Sequence, residues 1–451
     1  LAKDKHKELA KLGAETLATA LLDLADYNDA AEAVVERLLA SPKENAKTFS
    51  KRLSSIRRRH HLISWGETGA FARELKDLLK ALEASAPEPK DGVLSVAAFY
   101  EADAEIFEQC DDSNGSVGGV FKFDAADLFS SFASRCDDKD WLLEQVIKLN
   151  KSNGYGVRDV LFEKMSLFLP EDHLRKAVNR LWEEDNAEKT DRYGSRWLTA
   201  IEQLAWQLKD PLLLEKVKRS QSNGELPTAF LIDIAKLHFE CGDLNAALEW
   251  LTRFPADKSF RVHERDELLI AIYQGLKKPR KVAETSLKVF KRDRDIESLN
   301  QLVRAVGEEK RAEIVDESVK TILKAREFST SDAEFLIETN RIDDAENYIL
   351  AHATRLNGDL YAGLLDLAKS VLKHDRLVAA YVIYRALLDS ILARANSKYY
   401  HHGVSYLKKL DSLAKKISDW KEIEPHSKYL EYLRQKHKHK SSFWSQYAPQ
   451  K

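Results

Sequence analysis

A chain of 451 residues has room for two or three domains, or for one extended array of repeats. Its 73 acidic and 71 basic residues nearly cancel, to a net charge of −2, so no global field draws it toward nucleic acid or a membrane. Only 10 Pro and 17 Gly punctuate it, about half the usual level, while 32% of residues are charged, the balance of amphipathic helices with solvated outer faces. Three cysteines (Cys110, Cys136, Cys241) without CxxC spacing argue against a disulfide framework and a cysteine-rich zinc site, and suit a reducing, cytoplasmic interior. No signal peptide stands out, and the most apolar stretch, 379–393, is interrupted by Arg385 and Asp389, so no membrane span is expected. The chain opens on Leu1 rather than Met, which leaves room for native residues before it.

In chain order, the first expected helix runs from Asp4 to Ala25, with Leu9, Leu12, Leu17, Leu21 and Leu24 as its apolar stripe. A second covers Asp29 to Ala40. Ser41-Pro42-Lys43-Glu44 then reads as a helix start: Ser at the N-cap, Pro at the first position and Glu three residues on to complete a capping box. The helix it opens carries Phe49, Leu53 and Ile56 and ends in the basic run Arg57-Arg58-Arg59-His60-His61. A further helix spans Gly69 to Ala84, and 86–92 has the composition of a loop. Helices from Leu94 to Glu108 and from Val117 to Arg135 flank the polar stretch 111–116, and others are expected at 138–151, 157–168, 170–185, 191–208 and 211–220. No stretch alternates β-branched and polar residues, so no sheet is expected.

After a polar break at 221–225 the pattern becomes repetitive. In 231–254, two short helices meet at Cys241-Gly242-Asp243, with Ala235 and Ala247 facing each other across the turn so that the two backbones can approach closely. The same pairing returns as Ala271 and Ala283, Ala333 and Ala345, and Ala368 and Ala380, with a weaker copy at Asn300 and Ala312 around Gly307. The spacing, near 34 residues, is that of two-helix repeats. The expected fold is therefore all-α: a tetratricopeptide-like α-solenoid or superhelix, with an N-terminal helical domain over 1–221, the repeat block over 222–395 and a helical cap over 396–451. An ordinary helical bundle with Ala-rich contacts is the alternative.

Few motifs select a chemistry. The loop Asp111, Asp112, Ser113, Asn114, Gly115 resembles a calcium loop at first sight, but Cys110 in the first ligand position and Phe121 in place of the bidentate Glu exclude an EF-hand. It lacks the GK[ST] ending of a P-loop. Its amides, lying before a helix, could hold an anion, whereas the plainer reading is an Asn-Gly turn with Asp side chains capping a helix. Asn153-Gly154-Tyr155-Gly156 reads as a helix C-cap and turn, with Gly154 in the left-handed conformation. His263-Glu264 lacks the second His of a zincin helix, Glu267 standing there instead. The pairs His60-His61 and His401-His402, and His437-Lys438-His439, carry no acid or thiol at ligand spacing, so neither metal nor cofactor is expected. Two basic features remain, Arg57, Arg58, Arg59 and the segment Lys428–Lys451, where Arg434, Lys436, Lys438 and Lys440 interleave with Tyr429, Tyr432, Phe443, Trp444 and Tyr447. Such residues suit phosphate binding with base stacking, but they fit better as the solvated face of a cap whose Phe443-Trp444 seals the last repeat. Tyr399, Tyr400, His401 and His402 form a further polar cluster.

Several of these motifs together carry a resemblance: Leu12-Gly13-Ala14-Glu15, the run Asp111 to Gly118, Asn153 to Gly156, Ser397-Lys398-Tyr399-Tyr400-His401-His402, and the stretch from Tyr429 to Trp444. In this order over nearly the whole chain, they resemble a family of uncharacterised bacterial all-helical proteins known only as a domain of unknown function. The last third also resembles the helical region that follows SWIM-type zinc fingers, without the finger. Gly119 stands where the resemblance leads one to expect a polar or acidic residue. What the resemblance implies is an all-helical fold and no catalytic residue.

The sequence thus leads to a non-catalytic scaffold whose concave helical surface receives a protein or peptide. One alternative is a nucleic-acid-associated protein using the basic patches at 57–61 and 434–440; another is a helical enzyme with a pocket near 111–119.

Overall fold

The computed structural model describes residues 2–59, 61–85, 88–188, 195–222, 226–255 and 260–447. Among these residues no strand forms; the β-type pairing is an isolated parallel bridge between Ile63 and Cys110. No helix of the described residues is long and apolar enough to cross a membrane. The chain divides into two compact units, Leu1–Pro255 and Ala256–Lys451.

The first unit opens with α1 (Ala2–Ala10), α2 (Ala14–Ala25) and α3 (Asp29–Leu39). The single helix expected over 4–25 is broken because Gly13 takes φ of 81°, a left-handed conformation that interrupts the ladder. Its expected apolar stripe is not buried: Leu9, Leu12 and Leu24 are about half exposed, and Leu22, Leu38 and Leu39 also face outward. The core begins with α4 (Pro42–Arg57), whose Ser41 cap and Glu44 close the capping box in both directions. Phe49, Leu53 and Ile56 are buried as the period predicts. There follow α5 (Thr68–Ala84), α6 (Pro89–Tyr100), α7 (Asp103–Glu108), α8 (Ser116–Gly119), a π-helical turn over Val120–Ala125, and α9 (Ala126–Ser134). Pro89 starts α6 inside the expected loop, and Gly92 lies so close to the Phe132 ring on α9 that a Cβ there would stand 2.5 Å from it. The helix expected over 94–108 is therefore two, parted at Glu101-Ala102. The unit continues through α10 (Lys139–Lys151), α11 (Val160–Glu163), α12 (Glu171–Glu188), α13 (Arg196–Gln207), α14 (Pro211–Gln221), α15 (Thr228–Glu240) and α16 (Leu244–Thr252).

The second unit comprises α17 (Val262–Gly275), α18 (Pro279–Asp293), α19 (Ile296–Val306), α20 (Arg311–Leu323), α21 (Thr330–Glu338), α22 (Ile342–Ala351), α23 (Tyr361–Lys373), α24 (Leu377–Arg394), α25 (Tyr400–Ala414), α26 (His426–Lys436) and α27 (Ser441–Tyr447). The pairs α17–α18, α21–α22 and α23–α24 are antiparallel hairpins, and like helices of successive hairpins touch: α21 packs on α23, α20 on α22, and α22 on α24. Its core runs from Phe290 to Phe443.

Five helix-to-helix turns share one geometry. Lys209, Gly242, Lys277, Asn340 and Asp375 all take left-handed φ, between 50° and 83°. In each, the next residue's amide reaches back to a carbonyl five residues earlier: Asp210 to Ala205, Asp243 to His238, Lys278 to Tyr273, Arg341 to Leu336 and Arg376 to Val371, at 2.7–3.0 Å. This is the Schellman closure, which satisfies carbonyls at the end of the first helix while reversing the chain. The buried positions keep a fixed offset from it. Ala235 and Ala247, Ala333 and Ala345, and Ala368 and Ala380 lie seven residues before and five after the left-handed residue, and all are buried. At Lys277 that offset falls on Ile270 and Val282, which are buried, so the pair Ala271 and Ala283 is one residue out of register and only half-buried. The copy at Asn300 and Ala312 departs further. Ala312 is exposed and Asn300 accepts from the Arg311 guanidinium, because Gly307 and the 3₁₀ turn Glu308–Lys310 replace the common closure. Equivalent arginines also tie successive hairpins: Arg341 pairs with Asp316 on α20, and Arg376 with Asp343 on α22 at 2.6 Å.

Candidate functional site

In the loop 111–115, the carboxylate of Asp112 accepts from the amides of Val117 and Gly118, each at 2.8 Å. Asp111 and Asn114 accept from Ser113 and Ser116, and Gly115 provides the left-handed residue of the turn. The loop's own acid thus fills the amide nest in which an exogenous anion would sit, and α8 is a helix of one turn. Cys110 beside it is not poised as a nucleophile: burial and the nearby Asp112 and Asp111 push its thiol up to about 11.

The structure brings this loop to the 153–159 turn. Phe107 stacks on Tyr155 with ring centroids 4.8 Å apart, and beneath them Asp103 holds Arg158. Gly156, at φ 69°, is the left-handed residue here rather than the expected Gly154. Asn153 donates to Asp159, whose carboxyl burial pushes above its ordinary value. The π-turn over 120–125 is anchored by the buried Tyr100 hydroxyl, which donates to the Phe121 carbonyl at 2.8 Å. No sequence signal announces that turn.

The basic run of the first unit is largely neutralised. Arg57 pairs with Glu105 on α7, and Arg59 donates to Glu74 on α5 at 2.7 Å and lies over the Phe71 ring. Arg58 is exposed, and His60 lies outside the described residues.

In the second unit, Tyr429, Leu433 and Phe443 are fully buried, and the Trp444 indole donates to the His437 carbonyl at 2.9 Å. Helices α26 and α27 are fastened to α24 and α25 by two polar chains. Tyr429 donates to Asp389 at 2.7 Å; His426 bridges the Tyr381 hydroxyl and Asp411, which also accepts from Tyr447. The four alternating cations divide between the last turn of α26 (Arg434, Lys436) and the turn after it (Lys438, Lys440). Two clusters that the sequence keeps apart meet here: Tyr400, edge-on to Phe443, also lies under the Lys440 ammonium, 5.9 Å from its ring. Tyr399, His401 and His402 are exposed at the start of α25.

A second concavity in this unit had no signal in the sequence. Between α17 and α19, two clefts of about 520 and 380 Å³ share Glu267, Gln301 and Arg304, so that they form one groove. Ile270, Ala271, Val282 and Ala305 give it apolar lining, Gln274, Gln301 and Asn300 its amides, and Glu267, Lys277, Lys278 and Arg304 charges of both signs. At one end, Asp266 is buried between Arg265 and Arg292, and Arg292 in turn holds Asp293 below its ordinary value. Among the described residues no group of three or more His, Cys, Asp or Glu could hold a metal ion.

Comparison with family profiles matches residues 5–211 and 214–446 to a family of unknown function, DUF6880. The chain belongs to this family. The match covers residues of both units, among them those of the loop at 111–119, of the α17–α19 groove and of α26 and most of α27. A comparison with curated proteins finds no match.

Proposed function

We propose that this DUF6880 protein is a non-catalytic helical-repeat scaffold that takes up a protein or peptide segment. We read its hairpins as a tetratricopeptide-like solenoid, an arrangement supported by the recurring Schellman turns and by the like-to-like packing of α20, α22 and α24. The observation that carries the functional reading is the groove between α17 and α19. Its lining joins apolar residues to amides and charges of both signs, donors and acceptors together, which suits a chain segment better than a small substrate. The exposed leucines of α1–α3 are a further apolar surface of the kind that partners cover. A cytoplasmic setting is part of the same reading, supported by three free cysteines.

The enzyme reading has less support, since Asp112 is committed to capping and the Cys110 thiol holds its proton at neutral pH. The extended nucleic-acid reading loses Arg57 and Arg59 to Glu105 and Glu74. The test is recovery of partners from native cells with the wild-type chain and with Ala271→Trp and Ala305→Trp, which fill the groove from half-buried positions. Partners retained by the wild-type chain and lost by both variants support the reading. An identical set recovered with folded variants rejects the groove.

A further inference from the structure

The short cleft where α25, α26 and α27 meet differs in charge from the rest of this nearly neutral chain. Its walls are Lys436, His437, His439 and Lys440, with the hydroxyls of Ser441 and Ser442, and Tyr400 at its side; among the described residues no carboxylate lines it. Other exposed cations sit beside an acid, as Lys90 does Asp138 and Lys176 does Asp140. Here the described residues give Lys436, Lys438 and Lys440 no ion pair. The ammonium of Lys436 is held by the neutral Tyr432 hydroxyl at 2.5 Å, and that of Lys440 lies over the Tyr400 ring. Asp389, whose charge reaches Lys436, accepts from the Tyr429 hydroxyl and makes no ion pair with that lysine.

The local potential registers in a neighbouring group. His437 is held below its ordinary value by burial, and then by Lys440 and Lys436, so two uncompensated cations already crowd the imidazole. A compact anion would relieve that crowding, and the hydroxyls and ammonium groups around it supply donors without a competing acceptor charge. The cleft has a volume of about 490 Å³ and opens to solvent, room for a phosphate group or two linked ones.

We propose that this cleft is an anion site for a small phosphate-bearing ligand, with Lys436 and Lys440 as its charged donors and Ser441, Ser442 and His439 completing its coordination. The site stands on observations separate from the α17–α19 groove, and either can fail alone. Two separately predicted features, the Tyr400 cluster and the alternating cations, become one site because the turn 437–440 folds Lys440 back over Tyr400.

The probe is pyrophosphate, titrated into the full chain by calorimetry at low ionic strength. One saturable site is expected, weakened about tenfold or more in the Lys436→Gln, Lys440→Gln double variant. His439→Gln, at an exposed position, should weaken it to a lesser degree. Lys438→Gln removes the same unit of charge outside the cleft and should change affinity by less than about twofold, since exposed charges act weakly across water and salt. No saturable binding, or an equal loss with Lys438→Gln, would overturn the proposal. Tighter, length-dependent binding of a single-stranded RNA oligonucleotide, lost in the same double variant, would replace the small-ligand reading with a nucleic-acid one.

Discussion

Arg158 grips Asp103 across 55 residues of sequence, through Nε at 3.0 Å and Nη2 at 2.6 Å, with both side chains at most 3% exposed. Nη1 donates to the Leu149 carbonyl and the Ser152 hydroxyl, so the pair is hydrogen-bonded beyond itself as well as buried. It joins the start of α7 to the turn after Tyr155 and to the end of α10.

Removing one partner strands the other charge in the interior. Arg158→Met and Asp103→Leu should each cost about 3–5 kcal/mol, and the double variant should recover much of that loss. Urea unfolding of the two single variants and the double one measures the coupling. Additive losses would mean that the pair does not act as a unit.

The hairpin contacts make a contrast testable within one helix type. Ala247→Leu and Ala380→Leu insert volume at fully buried positions between helix backbones and should cost about 1–3 kcal/mol by overpacking. Ala312→Leu, in the copy where the turn closes differently and the Ala is exposed, should stay within about 0.5 kcal/mol. Unfolding midpoints for the three variants decide it.

That contrast also marks where the sequence was readable. The helices of the repeat block were legible from their apolar period, and the turns from Gly242 and Asn340, residues that tolerate left-handed φ. The turn at Lys209 was placed by the expected helix bounds at 208 and 211, with Asp210-Pro211 as a cap followed by a first-turn Pro; its left-handed φ was not, because lysine carries no such signal. The Ala pairs misled by one residue at Ala271, where composition suggested close approach but the buried positions belong to Ile270 and Val282. The N-terminal leucines showed a helical period without showing whether anything packs on it. In the candidate sites, the acid capping of Asp112 was foreseen as one reading of the loop. The pairing of Arg57 and Arg59 and the joining of Tyr400 to Lys440 were not, since those partners are remote in sequence.

At the C-terminal end, aromatic packing and surface charge should separate cleanly. Phe443→Ala removes a fully buried ring and should cost about 3–5 kcal/mol. Trp444→Ala, partly buried and bonded to the His437 carbonyl, should also lower the midpoint, by less. Replacing Arg434, Lys436, Lys438 and Lys440 together by Gln should leave stability within about 0.5 kcal/mol, the usual range for surface changes.

The pH dependence follows from His437. Its folded value lies below the ordinary 6.5, so between the two values the unfolded chain binds more protons than the folded one. Stability should therefore rise with pH through this window and be lost on acidification from 6.5 downward. His437→Gln should flatten the stability profile just below pH 6.5. An unchanged slope there would remove His437 as its source.

The central claim is that a partner segment lies in the α17–α19 groove, and a photo-crosslinking residue at Gln301 tests it most directly. Gln301 lines both clefts, and Leu287 on α18 lines neither and is exposed, so a crosslinker at Leu287 serves as the control. In native cells, the account predicts a discrete crosslinked protein or peptide from position 301, absent from 287 and suppressed by Ala305→Trp. Equal crosslinking from both positions, or a product from 301 that survives the filled groove, would contradict it.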